Sequence, residues 1–205
     1  MSLLSRLAEK SWQHPGSAHA VPETYRPPAA KVLLILYFGV AAILFGLVSS
    51  AYLMRMGMPG MAHGPMGGWR RVPEPPLLWI NSAILLLASV AWEAARIGGR
   101  RGQRPVAWTM AAGLLGILFL ASQLLLWSHL VAAGHGLRGD PAAAFFYLIT
   151  ALHGLHVAGG LWFWGRAMLD LGAGGQAALR VELTATYWHF LLLVWLAMLA
   201  LFVAT

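Results

Sequence analysis

The chain of 205 residues contains no cysteine. Disulfides and thiolate metal sites are therefore excluded, and iron–sulfur clusters of the all-cysteine kind go with them. Charge is scarce as well. Asp, Glu, Lys and Arg together make up 10% of the residues, where a soluble domain carries roughly 25%. With 59% of residues hydrophobic, that deficit indicates a polytopic membrane protein. The net charge of +7 comes from basic residues in loops and tails, with no interleaving of aromatic and basic side chains. This suits contact with anionic lipid and gives no sign of nucleic-acid binding. The first thirty residues hold no apolar core of signal-peptide length. They are expected to form a polar tail, ahead of a transmembrane domain over 31–205.

Spanning a bilayer as a helix takes about 20 apolar residues. Five segments qualify, at about 31–54, 77–95, 106–130, 142–168 and 181–204. None alternates as a strand would, and all are too long for barrel strands. The expected fold is an all-α membrane bundle of five helices. Orientation follows from the basic residues of the short loops. One side collects Arg6, Lys10, Arg26, Lys31, Arg96, Arg100, Arg101, Arg104, Arg166 and Arg180; the other has Arg55, Arg70, Arg71 and Arg138. This bias predicts a cytoplasmic N-terminus and an outside C-terminus. Trp79, Trp108, Trp127 and Trp164 fall near span ends, as an interfacial belt requires.

Polar residues inside a membrane are costly and need an account. Span two has Asn81 and Glu93, and span three has Gln123 and His129. Span four carries HGLHV, with His153 and His156; span five has Glu182, Tyr187, Trp188 and His189. Glu182 and His189 are seven residues apart and share a helix face. Counting the rise from the charged ends puts His156 and His189 at similar depth, so a contact between them, direct or through a hydroxyl or water, is expected. Gly154 and Ala158 form a small-xxx-small pair for close helix approach.

Two readings of the histidines stand side by side. One is a metal site built from His153, His156 and His189, or a haem held between His153 and His189. The other is hydrogen bonding across helices or to lipid headgroups. Zinc histidines on one helix commonly take i, i+4 spacing with an intervening glutamate. Gly154 and Leu155 stand here instead, with no acid expected at that depth. Both facts favour helix glue. A second metal question arises in MRMGMPGMAHGPMGGWRR, where Met54, Met56, Met58, Met61 and Met66 surround His63. Thioether and imidazole suit Cu(I). The alternative is a flexible Gly/Pro-rich loop whose methionines lie against membrane or partner. No nucleophile–base pair or nucleotide motif is present, so no catalytic or cofactor-binding residue is assigned. A small transporter has only the buried polar residues in its favour.

Several stretches carry a family pattern. They are GLVSSAYLMR, LLWINSAILLLASVAWEAAR, GLLGILFLASQLLLW, YLITALHGLHVAGGLW and VELTATYWHFLLLVWLAML, in that order. On these the chain resembles subunit III of the haem-copper oxidases, the cytochrome c and quinol oxidase family, in its five-helix bacterial form. The resemblance runs from about Lys31 onward. Some family acids are missing. FGVAAILFG has none, Gln123 is followed by three leucines, and Leu191 and Leu192 stand where an aspartate follows Tyr-Trp-His-Phe. Roles of those acids do not carry over.

The resemblance implies a non-catalytic subunit of a respiratory terminal oxidase in the bacterial cytoplasmic membrane. It implies that haem and copper sit in partner subunits I and II. It also implies that this chain packs beside subunit I, holds phospholipid in a cleft between its helices and supports the catalytic subunit. His153, His156, Glu182, Tyr187, Trp188, His189, Asn81 and Gln123 would then serve structure and lipid contact. A subunit-III-like protein of a nitric oxide reductase, and a membrane copper protein using the Met-rich loop, are the alternatives.

Overall fold

The computed structural model describes residues 28–57, 75–103, 105–136, 141–173 and 177–205. These form five helices: α1 (Ala29–Met56), α2 (Pro76–Arg100), α3 (Val106–Ala132), α4 (Pro141–Ala173) and α5 (Ala177–Ala204). All five are long and apolar enough to cross a membrane, and the described residues include no strand. The protein is a multi-pass membrane protein.

Proline sets several starts. Pro28, Pro75 and Pro105 immediately precede α1, α2 and α3, and Pro76 and Pro141 open α2 and α4. A proline there loses nothing, because the first helical N–H groups have no partner in the helix. Gly102, at φ 72°, closes the short turn between α2 and α3 and makes them antiparallel neighbours. The helices outrun the apolar runs that suggest them. α2, for example, continues past Ala95 to Arg100, because Glu93 and Arg96 keep the helical path and pair with each other.

α2, α3, α4 and α5 close a four-membered ring, and α1 lies outside it against α4 and α5. The ring core holds Leu85, Trp92, Phe119, Leu126, Trp188, Leu191 and Trp195. Glycines decide how closely the ring closes. A Cβ at Gly113 would overlap the indole of Trp164, and one at Gly116 would overlap that of Trp188. At Gly160 it would lie 2.9 Å from the Tyr187 ring. Gly154 plays no such part, since a Cβ there meets only a Leu120 methyl at 3.7 Å, and Ala158 is exposed. The close approach falls where the large indoles need room, one to three turns from the predicted pair.

Many side-chain polar groups find partners inside the bundle, where hydrocarbon offers none. Ser82, Thr150, Thr184 and Thr186 bond the carbonyl four residues back. Asn81 Nδ2 donates to Gln123 Oε1 at 2.9 Å, and the Ser122 hydroxyl donates to Asn81 Oδ1. Trp195 donates to Ser82 at 2.9 Å, joining α5 to α2. Trp127 and Trp164 are also tied inward, to Thr150 Oγ and the Thr109 carbonyl, whereas Trp79 and Trp108 are exposed.

α1 differs from the rest. Only Ala41, Phe45 and Tyr52 are buried, and Leu33, Ile43 and Leu47 are about two-thirds exposed. It is tied near both ends. Lys31 reaches Glu182 of α5 at 2.9 Å, and Tyr52 bonds the Thr205 hydroxyl at 2.6 Å. Between them the Phe38 ring stacks on Phe190 at 4.3 Å.

Candidate functional site

The two histidines of HGLHV go to different places. His153 is fully buried, boxed by the rings of Trp195, Phe119 and Phe45 at 5.2, 5.8 and 6.3 Å. No described polar group meets either of its ring nitrogens. It packs as an aromatic side chain. His156 lies three residues on and faces α1. Its Nδ1 donates to the Leu152 carbonyl at 2.7 Å. Because a carbonyl only accepts, Nδ1 carries the hydrogen. Tyr37 and Phe45 of α1 cover the ring.

Tyr187 of α5 completes this corner. Its hydroxyl donates to the His156 carbonyl at 2.7 Å and lies 3.3 Å from the Tyr37 hydroxyl. Three helices, α1, α4 and α5, are thus joined at one depth by one phenol. Tyr187 sits over Gly160, which explains why α4 has a glycine there.

His189 does not join them. Two residues beyond Tyr187 is about 200° around a helix, so if Tyr187 faces α4 then His189 must face away. It points to α2, where Nδ1 lies 2.5 Å from the Ser89 hydroxyl and Nε2 lies 3.2 Å from Glu93. The expected His156–His189 contact is therefore absent; equal depth did not mean equal azimuth. An acid also orients His189 after all, because Glu93 of α2 reaches it. Glu93 is itself held by Arg96 through two bonds of 2.5 and 2.8 Å. Glu182 shares the His189 face and binds Lys31 at 2.9 Å and Arg100 at 3.5 Å.

The histidines do not converge on a metal. Among the described residues no three His, Asp or Glu side chains come together as a metal-holding group. His153 has aromatic rings on three sides, a surrounding that does not fit an axial haem ligand. Of the Met-rich stretch, Met56 ends α1, while Met58, Met61, His63 and Met66 lie outside the described residues.

A cleft of about 940 Å³ opens between α1, α4 and α5 beside the Tyr187 corner. Leu33, Leu34 and Tyr37 form one wall, and Leu155, Trp162 and Phe163 another. His156 and Tyr187 line its floor, and Arg166 and Arg180 sit at its charged end. Arg180 is paired with Asp170 at 2.5 Å. The shape is a long apolar slot with guanidinium groups at one end. Its arginines were visible in the sequence only as loop charges, and nothing in the periodicity marked them as neighbours across a slot.

Fold and site together define a polytopic membrane protein whose intramembrane polar groups join helix to helix and border an amphiphile-shaped cleft. Comparison with known proteins gives the family. Residues 32–204 match the model of cytochrome c oxidase subunit III. The cytochrome bo(3) ubiquinol oxidase subunit 3 of Pseudomonas aeruginosa is 29% identical over 166 residues, 78% of each chain. The cytochrome c oxidase subunit 3 of Thermostichus vulcanus is 30% identical over 201 residues, 91% of this chain and 92% of the relative. That of Synechocystis sp. is 30% identical over 197 residues, 91% of this chain and 79% of the relative. The chain belongs to the cytochrome c oxidase subunit III family and is a subunit III of a haem-copper terminal oxidase.

Proposed function

We propose that this subunit is non-catalytic and acts by holding phospholipid beside the catalytic subunit and stabilising it. The cleft between α1, α4 and α5 carries this reading. Its apolar walls suit acyl chains, and Arg166 and Arg180 at one end suit a phosphate. Its volume lies within the roughly 300–1,000 Å³ of small-ligand sites. The Tyr187 hydroxyl and His156 Nδ1 are engaged with the protein itself, so the two side chains brace the floor of the cleft. Haem and copper then belong to subunits I and II. The excess of Lys and Arg on one side supports a cytoplasmic N-terminus and an outside C-terminus in a bacterial cytoplasmic membrane.

The test is gentle purification from native membranes, with lipid analysis by mass spectrometry and an optical spectrum. The wild-type chain is expected with a haem-bearing subunit and tightly held phospholipid. Arg166→Gln combined with Arg180→Gln should release that lipid while the haem absorbance persists. Unchanged lipid content in the double variant, or haem loss at once from an otherwise intact complex, would overturn the proposal.

A further inference from the structure

One outward face of the bundle carries charge at a depth where lipid-facing surface is apolar. α2 and α5 form it, with the start of α1 at its edge. At its rim Glu182 is held by Lys31 and Arg100. Deeper along the same face, Arg96 holds Glu93, Glu93 meets His189, and His189 meets Ser89. Glu93 is seven residues from Arg100, and His189 is seven from Glu182. Both are therefore about 10 Å further from that end of the bundle.

These groups are not sealed inside the ring. The side chains of Glu93, Arg96 and His189 remain 34%, 28% and 39% exposed. The other outer surfaces at this depth are built differently. α3 shows Met110 and Leu114, and α4 shows Trp162 and Phe163. A partly exposed carboxylate facing hydrocarbon is expensive, and such residues normally face protein or a polar cavity. Lipid headgroups can reach Arg100 at the rim, but His189 lies well beneath them.

We infer that this α2–α5 face docks a transmembrane helix of another oxidase subunit, one that presents hydrogen-bond acceptors at the depth of Glu93 and His189. The chemistry of the partner follows from the charges. Lys31, Arg96 and Arg100 are three cations set against two carboxylates, Glu93 and Glu182. Arg96 spends Nε and Nη2 on Glu93, which leaves other guanidinium N–H groups to donate outward. Hydroxyl, amide or carboxylate oxygens on the partner helix complete the network. The face lies on the opposite flank of α5 from the cleft, so the subunit docks with one flank and keeps lipid on the other. This inference rests on the chain being a working subunit of the complex, as proposed above.

Val90 and Thr186 are exposed positions flanking Glu93 and His189, and Leu114 lies on the exposed outer face of α3. Each is replaced singly by the photoreactive amino acid p-benzoylphenylalanine during synthesis, so the crosslinker is in place before the complex assembles. Each variant is purified in the oxidase complex and irradiated, and the adducts are identified by mass spectrometry. The two α2–α5 positions should yield adducts to another oxidase subunit several-fold above the α3 position. Equal adducts from all three, adducts to a second copy of this chain, or adducts to lipid alone would overturn the assignment. A chain that fails to co-purify with haem-bearing subunits fails one step earlier. That result overturns the function proposed above and the docking face with it.

Discussion

Gly116 offers the sharpest measure of how tightly this bundle is closed. A methyl at that position would overlap the outer edge of the Trp188 indole and lie 3.1 Å from a Leu161 methyl. Trp188 cannot swing clear. It is 1% exposed, its ring faces that of Trp92 at 6.2 Å, and a Cβ at Gly160 would already lie 3.3 Å from it on another side. Overpacking of this kind costs about 1–3 kcal/mol. The gain in helix propensity from Gly to Ala offsets about 1 kcal/mol of that. Because the overlap is with a fixed ring, Gly116→Ala should lose about 1–2 kcal/mol net. Such a loss lowers the ratio of folded to unfolded protein by about 5- to 30-fold. Gly46→Ala is the matched control. Nothing lies within 4 Å of its Cβ position, so only the propensity gain applies. The two variants should shift unfolding in micelles in opposite directions, Gly116→Ala downward and Gly46→Ala upward or not at all. Equal shifts would refute the reasoning, because they would show that the ring opens readily enough to admit a methyl.

Three other outcomes follow from the polar contacts. Tyr187→Phe keeps the ring but removes the bond to the His156 carbonyl, and should cost about 0.5–1.5 kcal/mol in the same unfolding assay. Tyr37→Phe should cost less, since its hydroxyl meets only that of Tyr187, at 3.3 Å, among the contacts described above. Asn81→Ala strands Ser122 and Gln123 in the core, so it should destabilise by about 1–3 kcal/mol. The triple change to apolar side chains at Asn81, Ser122 and Gln123 should recover part of that loss. Lys31→Met and Glu182→Gln should each loosen α1 by about 0.2–1 kcal/mol, with little further loss when combined. Proteolytic susceptibility near the start of α1 would report it, and high salt should shrink the effect.

Depth was legible in the sequence and azimuth was not. Long apolar runs gave the helices, because hydrocarbon leaves the backbone few other choices. Counting residues put His156 and His189 at one level, and put Glu182 and His189 on one face. Whether a residue at that level faces α1, α2 or α4 depends on how each helix is rotated. In this bundle large indoles settle the rotation. Trp188 needs Gly116, and Trp164 needs Gly113, so α5 and α4 turn to put those rings there. That turn sends His189 to Glu93, a pairing that could not be read from spacing because the two belong to different helices. The cleft was equally hidden. Arg166 and Arg180 count as loop charges until α1 is seen lying outside the ring.

The lone outer helix has a consequence for synthesis. Its described ties run to α4 and α5, and the Lys31–Glu182 bridge joins residues 151 apart. At about 5–20 residues per second, a ribosome needs roughly 8–30 s to make the intervening chain. Until α4 and α5 are made, α1 sits in the bilayer without the helices it packs against. Its coat of Leu, Ile and Val on nearly every side lets it wait there without penalty. α2 and α3 follow it and pair with each other across their short turn, with α1 as a bystander. The subunit is thus assembled from the middle outward, and the helix made ahead of the other four is among the late ones to be fastened.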